Sequence, residues 1–180
     1  VGAPGSTTLA PITVGNLTGQ NVTSFQFTLT YDNTVIEITG VDIANTLIEG
    51  NPPTINVDDA NGRILVAWAS ATALSGAGVL LNLNITFEAI GTTALATGAT
   101  FLFNAGTPAA AVTAGSATVP SISIVAGNVT ANVGDAIVIP ITTTALTAGD
   151  NIRSYNFTAT FDPAQISITT VDLASTLSDG

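Results

Sequence analysis

Apolar and polar residues alternate along much of this chain with the period of a β-strand. Phe25, Phe27, Leu29 and Tyr31 alternate with Ser24, Gln26, Thr28 and Thr30, a pattern that buries one face and wets the other. Val79, Leu81, Leu83, Ile85 and Phe87 form a second such face, with Leu80, Asn82, Asn84, Thr86 and Glu88 expected to point the other way. Between them, Asp59-Ala60-Asn61-Gly62 supplies turn chemistry after Ile55, and the apolar run Ile64 to Ala69 encloses Trp68, so a hairpin is expected. Further strands are expected at Thr7 to Val14, at Val35, Ile36 and Ile38, at Thr100 to Asn104 and at Ser116 to Val119. Pro11 cannot donate to a ladder and marks the first of these as an edge or a bulge. Asn45 to Asn51 and Leu74 to Gly78 read as loops. No segment has a 3.6-residue apolar period of helical length, so the class is all-β, with eight or nine strands in two packed sheets.

The alternation occurs twice. Asn21 to Gly50 recurs as Asn151 to Gly180 at an offset of 130 residues, with 15 of the 30 aligned positions identical. Asp32/Asp162, Val41/Val171 and Asp42/Asp172 are among them, and Tyr155, Phe157, Ala159 and Phe161 restate the buried face. Upstream, the strand carrying Pro11 is matched by Ala136 to Thr142, which carries Pro140. The chain therefore reads as a tandem array: one full copy over residues 1–119 and the N-terminal half of another over 120–180. Ser121 to Val125 opens the second copy with a strand that has no counterpart within the first.

Composition narrows the chemistry. The chain has no Cys, Met, His or Lys, and only Arg63 and Arg153 stand against twelve acids. Ser-His-Asp and Cys-His nucleophiles, thiolate or imidazole zinc sites, Schiff bases and P-loops are thereby excluded, and neither a cofactor nor catalysis is expected. A formal charge of −10 repels phosphate, so nucleic acid is an improbable partner. No apolar run approaches the ~18 residues of a membrane span, so no membrane insertion is expected. No signal peptide opens the sequence; such a segment would have been removed or lie outside these residues. A charged fraction of only 8%, with a surface of Thr, Ser, Asn, Gly and Ala, suits an extracellular or cell-surface protein. Five Asn-x-Thr sequons, at Asn16, Asn21, Asn84, Asn128 and Asn156, would accept N-glycans there, although a Thr-rich chain also carries such tripeptides by chance. Asp58, Asp59 and Asn61 bring three oxygen acceptors together, but no ladder of ligands ending in Glu follows, so turn chemistry is favoured over a metal site.

Four blocks in order, VGAPGSTTLAPITVGNLTG, SFQFTLTYDNTVIEITGV, NGRILVAWASATALSGAGVLLNLNITFEA and FNAGTPAAAVTAGSATV, resemble the cohesin domain, the module of bacterial scaffoldins that holds dockerin-bearing enzymes. The resemblance covers residues 1 to about 119 and again about 121 to 180. It implies a nine-stranded jelly-roll β-sandwich, no enzymatic activity and an extracellular bacterial or archaeal setting. It also implies a dockerin-type partner bound on the sheet that carries Ser24, Gln26, Thr28 and Thr30. In cellulosomal cohesins the outward positions of that strand typically bear Asn and Asp; here they are Ser24 and Gln26, with Ser154 and Asn156 in the second copy.

Two functions follow from these readings. Half a sandwich leaves its apolar face and strand edges open to water, so residues 120–180 need a cover. One expectation is an extracellular fibre, sheath or surface layer, with copies of the chain joined through strands such as Ser121, Ile122, Ser123, Ile124 and Val125. The other is a receptor module for a dockerin-type protein. A carbohydrate-binding module ranks lower, because the aromatic residues fall on expected core faces rather than in an exposed flat row.

Overall fold

A computed structural model describes residues 1–97, 100–146, 152, 154–174 and 176. Asn151, Arg153, Leu177 and Gly180, part of the sequence repeat, lie outside the described residues. The first copy consists of β1 (Thr7–Val14), β2 (Ser24–Thr30), β3 (Ile36–Asp42), β4 (Thr54–Asp58), a 3₁₀ turn (Asp59–Asn61), β5 (Arg63–Ala69), β6 (Gly78–Phe87), β7 (Gly91–Leu95), β8 (Leu102–Phe103) and β9 (Gly115–Val119). These form a four-stranded sheet of order β4-β5-β2-β8, a three-stranded sheet of order β1-β6-β3 and a β7-β9 pair. The named pairings within each are antiparallel. The all-β class expected from the alternation is the observed one.

The core lies between the sheets. Phe25, Phe27 and Leu29 of β2, with Ile64, Val66 and Trp68 of β5, meet Ile36 and Ile38 of β3 and Leu81, Leu83, Ile85 and Phe87 of β6, all buried. Phe25 anchors the aromatic part of this layer. Its ring stacks on Trp68 at 5.4 Å and on Phe101 at 6.3 Å, while Phe27 stacks on Phe101 at 5.2 Å. The indole N–H of Trp68 donates to the Asn51 carbonyl at 2.9 Å, which keeps its one polar atom satisfied as the ring is buried.

The structure corrects four sequence expectations. Leu80, assigned to the wet face of its strand, is fully buried together with Leu81. Ile12 pairs with Leu81 but Thr13 with Val79, so Leu80 is the extra residue of a bulge, and the parity of the strand shifts there. A strand at Gly91–Leu95 was not foreseen, because GTTAL carries no alternating large residues; it is held by pairing with β9. The strand expected over Thr100 to Asn104 shrinks to Leu102–Phe103.

The fourth correction concerns the second copy. Of the strands expected there, only β10 (Ile124–Ala126) and β11 (Ile141–Thr143) form among the described residues, paired with each other. Ser121, Ile122 and Ser123 lie outside any strand, although the Thr144 N–H reaches the Ser123 carbonyl at 3.0 Å. The stretch matching β2 forms no ladder, and Tyr155 and Phe157 are 59% and 54% exposed. The reason is physical: in the first copy β2 is sandwiched between β5 and β8, and residues 120–180 contain no counterpart of either. Local geometry nevertheless repeats. Phe25 and Phe27 stack at 6.4 Å and 13°, and Tyr155 and Phe157 do so at 6.4 Å and 13°. Asp32 accepts the Thr34 N–H and Asp162 the Ala164 N–H, both at 2.9 Å; Asp42 accepts the Ala44 N–H at 2.8 Å and Asp172 the Ala174 N–H at 3.0 Å. These Asx turns need only neighbouring residues, so they form without a sheet behind them.

Candidate functional site

The register of the four-stranded sheet assembles its outer face residue by residue. In one row Leu102, Gln26, Ala67 and Thr54 stand side by side; in the next are Thr28, Leu65 and Asn56, and in the third Thr30, Arg63 and Asp58. Ser24 lies opposite Ala69 at one end. Because side chains alternate, these residues point away from the core that their neighbours fill. Leu65 is 38% exposed at the centre of the face. Hydroxyl and amide groups flank that apolar centre, and the sole ion pair between described residues closes one end, Arg63 Nη2 to Asp58 Oδ2 at 2.7 Å. The structure thus brings Ser24, Gln26, Thr28 and Thr30 together on one open surface. It does not do so for Ser154 and Asn156, which are exposed on a segment without strand pairing.

Two devices hold the face in place. Asn104, with a left-handed φ of 42°, anchors the start of β2. Its Oδ1 accepts the backbone N–H groups of Thr23 and Ser24 at 2.9 and 3.1 Å, and its Nδ2 donates to the Asn21 carbonyl at 2.9 Å. No sequence signal pointed to this residue, since its partners lie about eighty positions away. At the opposite end, the Asp59 turn is tied to β2. The Tyr31 hydroxyl donates to Asp59 Oδ1 at 3.1 Å, and the Tyr31 N–H donates to the Gly62 carbonyl at 2.8 Å. Asp58 accepts from Asn61 Nδ2 and Arg63 Nε, and these bonds, Asn61 first, hold its carboxyl below the usual carboxylate range. Of the acceptors weighed as a metal cluster, the Asp58 and Asp59 carboxylates are therefore engaged in ion-pair and turn bonds.

Burial, reinforced by the hydrogen bond to Asp59 and its charge, pushes the Tyr31 phenol from 10.0 up to about 12. A group whose folded pKa is raised contributes stability in full below its unfolded value and loses it as the pH climbs through the folded one. The turn is accordingly expected to loosen between pH 10 and about 12. Absorbance titration of the folded protein should show a phenol ionising near 12, and Tyr31→Phe should remove that step; persistence of the step in the variant would refute the assignment.

The sequons are dispersed. Asn16, Asn21, Asn128 and Asn156 are exposed, whereas Asn84 is half-buried in the middle of β6. Asn16 Oδ1 is occupied by the Thr18 N–H at 3.0 Å.

With this geometry in hand, comparison with known proteins places the fold. The cohesin domain model matches residues 1–119. The chain belongs to the cohesin domain family. Among solved structures similar to it is the sixth cohesin of scaffoldin B from Acetivibrio cellulolyticus, determined in complex with a mutant Cel5 dockerin. That cohesin is 26% identical, with 66% of this chain and 92% of that one covered at a TM-score of 0.56. CaCohA2 from Clostridium acetobutylicum is 23% identical over 66% of this chain and 84% of its own, with a TM-score of 0.55. The third cohesin of ScaC from Acetivibrio cellulolyticus, solved with the ScaB dockerin, is 16% identical over 67% and 93%, at 0.53. These last two speak to the fold alone. No curated protein matches the sequence. Among the described residues of this cohesin, no helix is long and apolar enough to cross a membrane.

Proposed function

We propose that residues 1–119 are a non-catalytic, extracellular protein-binding module whose β4-β5-β2-β8 sheet docks a dockerin-type partner on its outer face. The observation that carries this reading is the open surface centred on Leu65 and Ala67 and flanked by Ser24, Gln26, Thr28 and Asn56, in a chain of the cohesin family. The 26% identical cohesin crystallised with a dockerin supports it. An apolar centre within a hydrogen-bonding rim is the anatomy of a specific protein interface. Ser24 and Gln26 stand where cellulosomal cohesins typically bear Asn and Asp, so the carboxylate charge is gone and recognition rests on shape and hydrogen bonding. The formal charge of −10 favours a partner whose contacting surface is neutral or basic.

The test is calorimetric titration of the full chain with a panel of dockerins. A binder should lose roughly a hundredfold in affinity, ~2.7 kcal/mol, on Gln26→Arg, which places a long cation beside the apolar centre of the face. Binding that survives this change, or a panel without a single binder, would count against the reading.

A second reading is favoured by the turn bonds that recur at the repeat offset. In it, residues 120–180 are the first half of another module, and such modules are joined into an extracellular fibre, sheath or surface layer, with sequons such as Asn16 and Asn128 carrying glycans. Electron microscopy of native material distinguishes the two: dispersed particles at working concentration would speak against a polymer.

A further inference from the structure

Asn61-Gly62 is the one Asn-Gly dipeptide in the sequence. A peptide nitrogen that follows asparagine can attack the side-chain carbonyl carbon, closing a five-membered succinimide and expelling ammonia. Glycine carries no Cβ, so it leaves that approach least hindered. Water then opens the ring at either carbonyl, and aspartate or isoaspartate stands where asparagine stood. Water is the only co-reactant, and Asn61 is exposed to it.

The fold holds both ends of this reaction. The nitrogen that would attack, Gly62 N, donates to the Asp59 carbonyl at 2.8 Å. The nitrogen that would leave, Asn61 Nδ2, donates to both carboxylate oxygens of Asp58 at 2.9 and 3.0 Å. Asp58 is fixed in turn by Arg63, whose Nε and Nη2 reach its Oδ2 at 2.8 and 2.7 Å. Ring closure must break the Gly62 bond and loss of ammonia must break the two to Asp58, so the reaction waits for the turn to open.

The product cannot rebuild this clasp. A carboxylate at position 61 has no N–H to offer Asp58, and it sets a further anion beside Asp58 and Asp59. Isoaspartate also lengthens the main chain by a carbon in a turn without slack, where a Cβ on Gly62 would already lie 2.2 Å from the Tyr31 carbonyl oxygen.

We propose that Asn61 is a self-modifying site: when the turn opens, Gly62 N bonds to Asn61 Cγ as the Cγ–Nδ2 bond breaks, the Gly62 proton leaves with the ammonia, and hydrolysis of the succinimide releases the clasp irreversibly. Arg63 and Asp58 share a row at one end of the docking face with Thr30. The surface therefore ages from that end; this consequence rests on the docking reading, whereas the chemistry does not.

The full chain is held in warm, mildly alkaline buffer, the converted residue is located by fragment mass, and isoaspartate is counted by enzymatic methylation with S-adenosylmethionine. Conversion at Asn61 should run about tenfold slower than in a free peptide spanning 57–66, a factor set by opening of the turn. Asp58→Ala removes the acceptor of the leaving nitrogen and should raise the rate at least about threefold. Should that variant fold poorly, hydrogen exchange at Gly62 N–H in the unaltered chain reports the same opening and should rise with temperature in step with conversion. Three results would overturn the proposal: a folded chain that reacts as fast as the peptide, an intact Asn61 while other asparagines convert, or an Asp58→Ala rate no higher than the parent's. These readouts are decided whether or not any dockerin binds, and docking is decided whether or not Asn61 converts.

Discussion

Gly62→Ala is expected to lower the stability of the first module by roughly 2 to 5 kcal/mol and to disorder the turn that closes the four-stranded sheet. Gly62 follows the Asp59–Asn61 turn with a φ of 57°, in the left-handed region. A Cβ placed there would lie 2.2 Å from the Tyr31 carbonyl oxygen, which is backbone and cannot swing aside. Alanine therefore meets two penalties together. The left-handed conformation costs roughly 1 to 2 kcal/mol, and relieving the clash separates Tyr31 from Gly62 and disturbs their hydrogen bond, a further ~1 to 3 kcal/mol. Urea denaturation followed by tryptophan fluorescence should show the midpoint falling with little change in slope. An unchanged midpoint would mean the turn can relax without involving β2.

A loss of about 3 to 5 kcal/mol is expected for Phe25→Ala. Phe25 is 2% exposed and touches Trp68 and Phe101 through stacked faces, so its removal deletes contacts on both sides and leaves a void between rigid rings. Neighbouring β-strands cannot collapse to fill it, because their spacing is fixed by ladder bonds. Near-ultraviolet circular dichroism offers a second readout, since the Trp68 signal depends on that packing. A conservative Phe25→Leu change should restore most of the stability; equal damage from both variants would point to a specific role for the ring rather than its volume.

How much of this was legible in the sequence depends on whether a residue's partners are near or far. Phe25, Phe27 and Leu29 announced their strand through alternation, and the Asp59 to Gly62 turn announced its hairpin, because both signals are local. Leu80 misled because a bulge moves it to the other face, and the bulge is set by β1 some seventy residues upstream. Gly91–Leu95 was invisible because small and hydroxyl residues become a strand only when β9 arrives. Of the candidate site, the outward row of β2 followed directly from the alternation. Its complement on β4 and β5, Asn56 and Leu65 above all, needed the register, and Asn104 needed the folded loop. The second copy shows the same division: Asp162 and Asp172 make their turns, while Tyr155 and Phe157 stay exposed rather than buried like Phe25 and Phe27.

The pairing of Thr7 with Thr86 has a temporal consequence. At ribosomal rates of about 5 to 20 residues per second, β1 waits on the order of 4 to 16 seconds for β6 to emerge. During that interval an edge strand is available to whatever else is nearby. If the recurrence of residues 21–50 at 151–180 marks a second module, the nearest competitor is the equivalent strand of that module.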